Sequence, residues 1–215
     1  MAYRRREISI GFTERSFLSG SHICYLFGDD DERFRVLAQY IAAGSRDRER
    51  ILYLSDTLPV DGVRSALLRE GAELGEPGQS LFMPAEDGYL SNGKFSSQAT
   101  LAKIQTFFEN SISAGYRGAR GTGEMSWALR GIPGVEDVME YEARLTGLLE
   151  RYPFTAICQY DIRRFDGATL MDVLSVHPFT ILRGQIIDNP CFIPPEQFLR
   201  QYTPRRPLRA AAARE

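Results

Sequence analysis

Glu124, Met125 and Trp127 stand together in Gly121-Thr-Gly-Glu-Met-Ser-Trp-Ala-Leu-Arg-Gly131, a stretch with glycines at both ends that holds the chain's one tryptophan. A carboxylate acceptor, a deformable thioether and an aromatic wall suit a small, partly apolar molecule. The same residues have a plainer reading, in which Met125 and Trp127 plug the edge of a sheet. Both readings stay open on sequence grounds. Polar residues also close other apolar runs: Asp56 after Arg50-Ile-Leu-Tyr-Leu54, Glu86 after Leu81-Phe-Met83, and Gln159-Tyr160-Asp161 after Phe154-Thr-Ala-Ile-Cys158. If these runs are parallel strands, their C-terminal ends share one rim, where α/β sheets bind ligands. Tyr89 lies in the turn-rich stretch Asp87–Gly93, an expected small hairpin or excursion over that edge. The expected ligand-binding set is Asp56, Glu86, Tyr89, Glu124, Met125, Trp127, Gln159, Tyr160 and Asp161.

Tyr141 and Glu142 are expected to support that set from the following helix. Val138, Leu145, Leu148 and Leu149 mark its buried face and carry Glu142 toward the core. A buried glutamate needs a partner, and the candidates are Arg120, Arg130 or the Tyr160 hydroxyl. Glu124 and Asp161 are a conceivable acid/base pair. No nucleophile–base arrangement accompanies them, and Ser126 lacks a nucleophile elbow, so no catalytic residue is assigned and the chain is not read as an enzyme. His22 sits at the N-terminal end of its strand, away from the rim, and His177 precedes Pro178 in a loop. Both read as structural histidines. With the thiols at Cys24, Cys158 and Cys191 they make no recognisable metal spacing, so no metal site is expected. No cofactor is identified.

These side chains need elements to hold them. His22-Ile-Cys-Tyr-Leu-Phe27 is a continuous apolar run, as in a strand buried on both faces of a parallel sheet. The runs at 50–54, 81–83 and 154–158 repeat the pattern, and Ala114-Gly-Tyr-Arg-Gly-Ala-Arg120 reads as a helix stop leading into another short strand, with Gly121–Gly131 the loop that follows. Helical spacing appears at Phe34, Leu37, Ala38 and Ile41 (ended by Gly44), around Val63–Leu67, at Leu101, Ile104, Phe108 and Ile112, at 138–149, around Leu170–Leu174, and from Ile193 to Leu199. Phe179-Thr-Ile-Leu182 and Gln185-Ile-Ile187, joined by Arg183-Gly184, read as a hairpin. Alternating strands and helices predict an α/β three-layer sandwich, with a mainly parallel sheet and an antiparallel hairpin at one side. Residues 1–20 are expected as an N-terminal arm or short helix and 21–200 as the domain. The Arg/Ala-rich stretch 201–215 is expected to be disordered, a linker or a weak docking strip.

The first strand–turn–helix is where a nucleotide-binding fold keeps its phosphate loop. Here the turn is Phe27-Gly-Asp-Asp-Asp-Glu-Arg33, with no GxxxxGK[ST] pattern and three consecutive aspartates. Carboxylates beside a triphosphate repel it by kilocalories, so phosphate binding there is disfavoured, and the acids are explained by helix capping. A chain of 215 residues with 43% hydrophobic residues buries a real core. A net charge of −2 gives no electrostatic case for nucleic acid. Three widely spaced cysteines, no signal peptide and no span-length apolar run point to a soluble protein in the reducing cytoplasm.

Several of these stretches together resemble the MEDS family, the methanogen/methylotroph sensory domain. They are Ser21–Phe27 with its acidic turn, Gly44 with Glu49-Arg-Ile-Leu-Tyr-Leu-Ser-Asp56, Thr122-Gly-Glu-Met-Ser-Trp127, Tyr141-Glu142, and Cys158-Gln-Tyr-Asp161 with His177-Pro178. The resemblance covers about residues 19–200. It implies a RecA-like fold related to clock-type ATPases, with a degenerate phosphate loop. It also implies a sensory role, small hydrocarbon derivatives being proposed ligands of some members. Such domains are usually joined to a DNA-binding module or a histidine kinase. After Leu199 only a short Arg-rich stretch remains here, so the expected function is cytoplasmic ligand-sensing signal transduction that regulates a partner in trans, a kinase or a transcription regulator. Direct nucleic-acid binding and membrane contact are not expected, and homo-oligomerisation is left open. The alternatives are a divergent nucleotide-binding ATPase and an interaction adaptor with a vestigial pocket.

Overall fold

The computed structural model describes residues 3–202 and 208–211. Its centre is a seven-stranded sheet built from β3 (His22–Phe27), β4 (Glu49–Ser55), β5 (Ser80–Pro84), β8 (Gly118–Glu124), β9 (Phe154–Asp161), β10 (Phe179–Leu182) and β11 (Gln185–Asp188). The spatial order is β11-β10-β3-β9-β8-β4-β5. All neighbours are parallel except the β10–β11 pair. That hairpin turns through Arg183 and Gly184, both at positive φ (48° and 70°), the backbone of a tight two-residue turn. The mainly parallel α/β sandwich with an antiparallel hairpin at one side is therefore the observed architecture.

Helices cover both faces. On one lie α1 (Asp30–Arg46) and α2 (Val60–Arg69); on the other lie α4 (Ser97–Ser113), α5 (Val138–Arg151) and α6 (Gly167–Val176). A last helix, α7 (Pro195–Gln201), packs on α5 and α6. Side chains alternate across a strand, so each strand feeds two separate cores. Ile23, Tyr25, Ile51, Tyr53 and Ile157 face α1 and α2. Cys24, Leu52, Leu54, Ala156, Cys158 and Tyr160 face α4, α5 and α6.

Three local expectations are corrected. Among the described residues before Gly20 there is no helix; β1 (Glu7–Ser9) and β2 (Ser16–Leu18) pair antiparallel, with Ile8 and Phe17 facing each other and buried. Gly44 does not end α1, which continues to Arg46. The glycine is there for space: a Cβ on it would stand 2.5 Å from Arg120 Cδ. Residues 121–124 are not a loop but the buried end of β8, and only Ser126–Arg130 form a 3-10 turn.

The turn-rich stretch before α4 resolves into a helical turn, α3 (Ala85–Tyr89), and a hairpin of β6 (Leu90–Ser91) and β7 (Lys94–Phe95) reversing at Asn92-Gly93. Of the terminal stretch 201–215, residues 203–207 and 212–215 lie outside the described residues, as does that part of the disorder expectation. The described part is paired: Ala210 bridges Phe165, and the Asp166 and Ala211 amides exchange bonds with Arg209 and Arg164.

Candidate functional site

The strand-end residues do converge on the C-terminal edge of the parallel sheet, but arginines occupy most of them. Arg130 bridges Asp56 and Glu86 across a shallow crevice between β4 and β5. Arg163 binds Asp161 through Nε at 2.7 Å and reaches Asp30 at 3.0 Å. Asp29 caps α1 by accepting from the Glu32 amide. The rim is thus crossed by salt bridges, and among the acids of the first turn Asp29 is engaged in the cap and Asp30 in ion pairs with Arg33 and Arg163.

Glu124 is buried and faces α1. Its Oε2 accepts from the Thr57 amide at 2.8 Å and the Thr57 hydroxyl, with Arg33 Nη1 at 3.6 Å. Arg33 is itself buried, its guanidinium lying over the Phe27 and Phe34 rings. Gln159 donates to Thr122 Oγ1 at 2.9 Å on the same face. Glu124, Gln159 and Asp161 therefore share the α1 side. Tyr160 does not join them: strand alternation turns it to the α5 side, and the grouping of 159–161 as one recognition set is corrected.

Met125 and Trp127 are fully buried. Trp127 stacks on Tyr89 at 4.8 Å between ring centroids and lies 5.1 Å from Phe95. Its neighbours are the chain's own aromatics, and neither residue is among those lining the apolar hollow beneath the sheet face. Of the two readings left open for Met125 and Trp127, the packing favours the plug over the recognition wall, with Tyr89 of α3 and Phe95 of the β6–β7 hairpin lying against the indole.

An apolar hollow lies one layer in, between the sheet and α3–α5, with a volume of about 230 Å³. Leu52 and Leu54 of β4, Leu81 and Met83 of β5, and Gly121 and Gly123 of β8 line it from the sheet, Ile104 and Phe107 of α4 from the helix layer, and Tyr89 and Tyr141 join them. The polar groups at its wall are tied: Thr100 donates to Tyr89 O, and Lys103 Nζ donates to the carbonyls of Asp87, Gly88 and Leu90. What remains is an apolar chamber. Of the expected ligand-binding set, only Tyr89 lines it; Tyr141, expected behind the site, lines it directly.

Cys158 also lines this chamber, and beyond it lies a buried polar cluster that sequence spacing did not reveal. His22 (β3), Glu142 (α5), Cys158 (β9) and His177 (after α6) bring one ligand-type atom each within 4.8 Å of one another. His22 Nε2 is 3.1 Å from Glu142 Oε2 and 3.4 Å from Cys158 Sγ; His177 Nε2 is 3.5 Å from the same Glu142 oxygen. The other Glu142 oxygen accepts from the Tyr160 hydroxyl at 2.8 Å, so of the three expected partners Tyr160 is the one used. Arg120 is committed to Glu49, and Arg130 to the rim.

Burial and the neighbouring His177 push His22 down to about 4, against the pull of Glu142. Burial works to raise the Glu142 carboxyl, but His177 and His22 beside it outweigh burial and hold it below the usual carboxylate range. Burial and then Glu142 raise the Cys158 thiol. The separation of these four residues along the chain, each on a different element, is why no spacing motif announced them.

The family model of the MEthanogen/methylotroph, DcmR Sensory domain (MEDS) matches residues 21–178. The transcriptional repressor DcmR of Methylorubrum extorquens (strain DSM 6343 / CIP 106787 / DM4) is 27% identical over 162 residues, covering 74% of this chain and 58% of that protein. The chain thus spans a little over half the length of this relative. Among solved structures, a KaiC-like protein of Pyrococcus horikoshii OT3 aligns with a TM-score of 0.51 at 15% identity, over 74% of this chain and 71% of that one. An ATPase from a type III secretion system of pathogenic bacteria aligns at 0.53 and 12% identity, over 82% and 56%. These structural likenesses establish a RecA-like fold.

Proposed function

The chain belongs to the MEDS family of sensory domains, and from that premise we propose that it detects a small, largely apolar molecule held between β4, β5, β8 and helices α3–α5, and relays occupancy to a regulatory output partner. The apolar chamber of about 230 Å³ carries this reading. A hydrocarbon-lined cavity of about 150 Å³ takes up benzene, so the volume suits a molecule of that order with room for one polar substituent. The chamber offers such a substituent the Cys158 thiol. Burial of the ligand's apolar surface would supply affinity at about 25 cal/mol per Å². With few unpaired polar atoms on the wall, polar metabolites would lose hydration without compensation.

Tyr89 and Tyr141 link the chamber to the plug around Trp127, meeting each other edge-on at 6.4 Å. A ligand that displaces Tyr89 therefore moves the β6–β7 hairpin and its neighbouring surface, a route by which occupancy becomes a surface change. A kinase or transcription regulator reading that surface fits the sequence relationship to a repressor. No described helix is long and apolar enough to cross a membrane.

The test is ligand-observed NMR and thermal shift with benzene, toluene and short-chain alcohols, alongside Mg-ATP. Binding of the apolar probes, abolished by the chamber-filling Ile104→Trp, is the expected result. Saturable Mg-ATP binding with no response to apolar probes would replace this reading with a nucleotide-binding one.

A further inference from the structure

The cluster of His22, Glu142, Cys158 and His177 has the ligand types, the burial and the close spacing of a metal site. Four ligand-to-ligand separations are 3.1 Å (His22 Nε2–Glu142 Oε2), 3.4 Å (His22 Nε2–Cys158 Sγ), 3.5 Å (Cys158 Sγ–Glu142 Oε2) and 3.5 Å (His177 Nε2–Glu142 Oε2). For bonds of about 2.0–2.3 Å, the edges of a ligand tetrahedron are about 3.3–3.8 Å. Four of the six ligand-to-ligand edges thus lie near tetrahedral spacing, and all four atoms fall within 4.8 Å of one another.

The outer atoms of the ligands are oriented the way metal ligands require. His177 Nδ1 lies 2.8 Å from Val173 O, so this nitrogen carries the proton and Nε2 presents a lone pair to the cluster. That Nε2 is buried and has no hydrogen-bond partner. Thr146 donates its hydroxyl to Val176 O, which leaves its oxygen to accept from His22 Nδ1 at 2.9 Å and again assigns the lone pair to Nε2. Tyr160 fixes Glu142 through the oxygen that faces away. Each of these is the outer contact that orients a metal-bound imidazole or carboxylate.

Proton counting identifies what is missing. Two imidazole lone pairs and a carboxylate oxygen converge in a fully buried space, and among these groups only the Cys158 thiol has a proton to share. Lone pairs facing each other without a cation or proton between them are costly in a low dielectric. A divalent ion with one thiolate, one carboxylate and two neutral imidazoles sums to zero charge, so the assembly escapes the penalty of a buried net charge.

We propose that His22, Glu142, Cys158 and His177 bind one divalent transition-metal ion of the zinc class. The nitrogen and sulfur donors select against magnesium and calcium, which take oxygen ligands. Cys158 is shared by the metal site and the chamber wall, so the ion sits one side chain from the apolar chamber. The inference is independent of the ligand reading above, because metal uptake needs no apolar ligand and the two can fail separately.

The test uses the full chain, freed of metal by chelator under reducing conditions and titrated with Co²⁺, then with Zn²⁺ in competition. One Co²⁺ per chain is expected, with the strong visible bands of a tetrahedral site and a near-ultraviolet thiolate-to-cobalt band. Cys158→Ser should remove the thiolate band, Cys191→Ala should leave it intact, and His177→Gln should weaken Co²⁺ binding at least about 100-fold. Zn²⁺ should displace the Co²⁺ and raise the melting temperature of the wild-type chain. Absence of stoichiometric uptake by the wild-type chain would overturn the proposal, as would a band carried by Cys191 or nitrogen NMR showing an imidazolium at His22 or His177 in the presence of Zn²⁺. The wild-type titration decides the matter even if Cys158→Ser does not fold.

Discussion

The hydroxyl of Tyr89 occupies the place where a side chain at residue 123 would begin: a Cβ on Gly123 would stand 2.0 Å from it and 3.0 Å from Cζ. Gly121 makes the same concession to Phe154, whose Cζ would lie 2.4 Å from an added Cβ. Two glycines in one strand thus let aromatic rings lie against bare backbone, which sets both the depth of the chamber and the position of the Trp127 plug. Their cost in strand propensity is met by this packing.

Gly123→Ala is expected to destabilise the fold by about 1–3 kcal/mol through overpacking. Tyr89→Phe removes the atom in closest conflict, so the double variant should recover part of that loss. A denaturant double-mutant cycle measures the coupling; additive effects would mean that Tyr89 is not the obstacle.

Arg120 and Glu49 form a buried ion pair on the α1 face, with Arg120 also donating to Tyr40 O at 2.9 Å and Ser9 O at 3.1 Å. Removing one member of such a pair costs about 3–5 kcal/mol, because the other charge stays buried. Arg6 also contacts Glu49 and softens the loss of Arg120. Arg120→Leu should therefore fall toward the lower figure, and Arg120→Leu with Glu49→Leu should be more stable than Arg120→Leu alone. Urea midpoints for the three proteins check the order.

Tyr160→Phe leaves the ionised Glu142 short of a charge-assisted hydrogen bond inside the core. The expected loss is about 1.5–3 kcal/mol, with the chamber unchanged. Thermal unfolding, together with apolar-probe binding that stays at the wild-type level, is the expected pair of results.

In the metal-free protein, acid should destabilise the fold through His22, which faces Glu142, His177, Cys158 and Thr146. Its value is about 4 in the fold against 6.5 for an ordinary histidine. Between those values the unfolded chain takes up a proton that the folded chain refuses, so this stability is present above about pH 6.5 and declines as pH falls toward about 4. Glu142, held ionised in the fold, adds a loss of the same sign at lower pH, below the range where an unfolded glutamate protonates. The His22 contribution is on the order of 3 kcal/mol. Denaturant curves at about pH 7 and about pH 4.5 should show a smaller acid loss in His22→Gln; an equal loss would assign the effect elsewhere.

Cys191 is exposed, whereas Cys24 and Cys158 are buried, and burial pushes the Cys24 thiol up to about 12. Only thiolates alkylate readily. Iodoacetamide at neutral pH should therefore label the native protein once, at Cys191, and three times after unfolding, as read by peptide mass spectrometry.

The strands and helices were legible because their periods are local. Continuous apolar runs such as His22–Phe27 mark strands buried on both faces, and the stripe Leu101, Ile104, Phe108 and Ile112 marks a helix with one packed face. The acidic first turn, read as hostile to phosphate, is tied up in caps and salt bridges. The family likewise showed in contiguous blocks, Thr122–Trp127 and Cys158–Asp161. The site was less legible because it depends on which face each side chain takes and what packs above it. Alternation parted Tyr160 from Gln159 and Asp161, packing against Tyr89 and Phe95 made Trp127 a plug, and Arg130 and Arg163 occupied the acidic rim. His22, Glu142, Cys158 and His177 come from four elements with no common spacing, and only the parallel pairing of β3 with β9 beneath α5 sets them around one point. Local periodicity determined the elements of this protein; the register and layering of the sheet decided its chemistry.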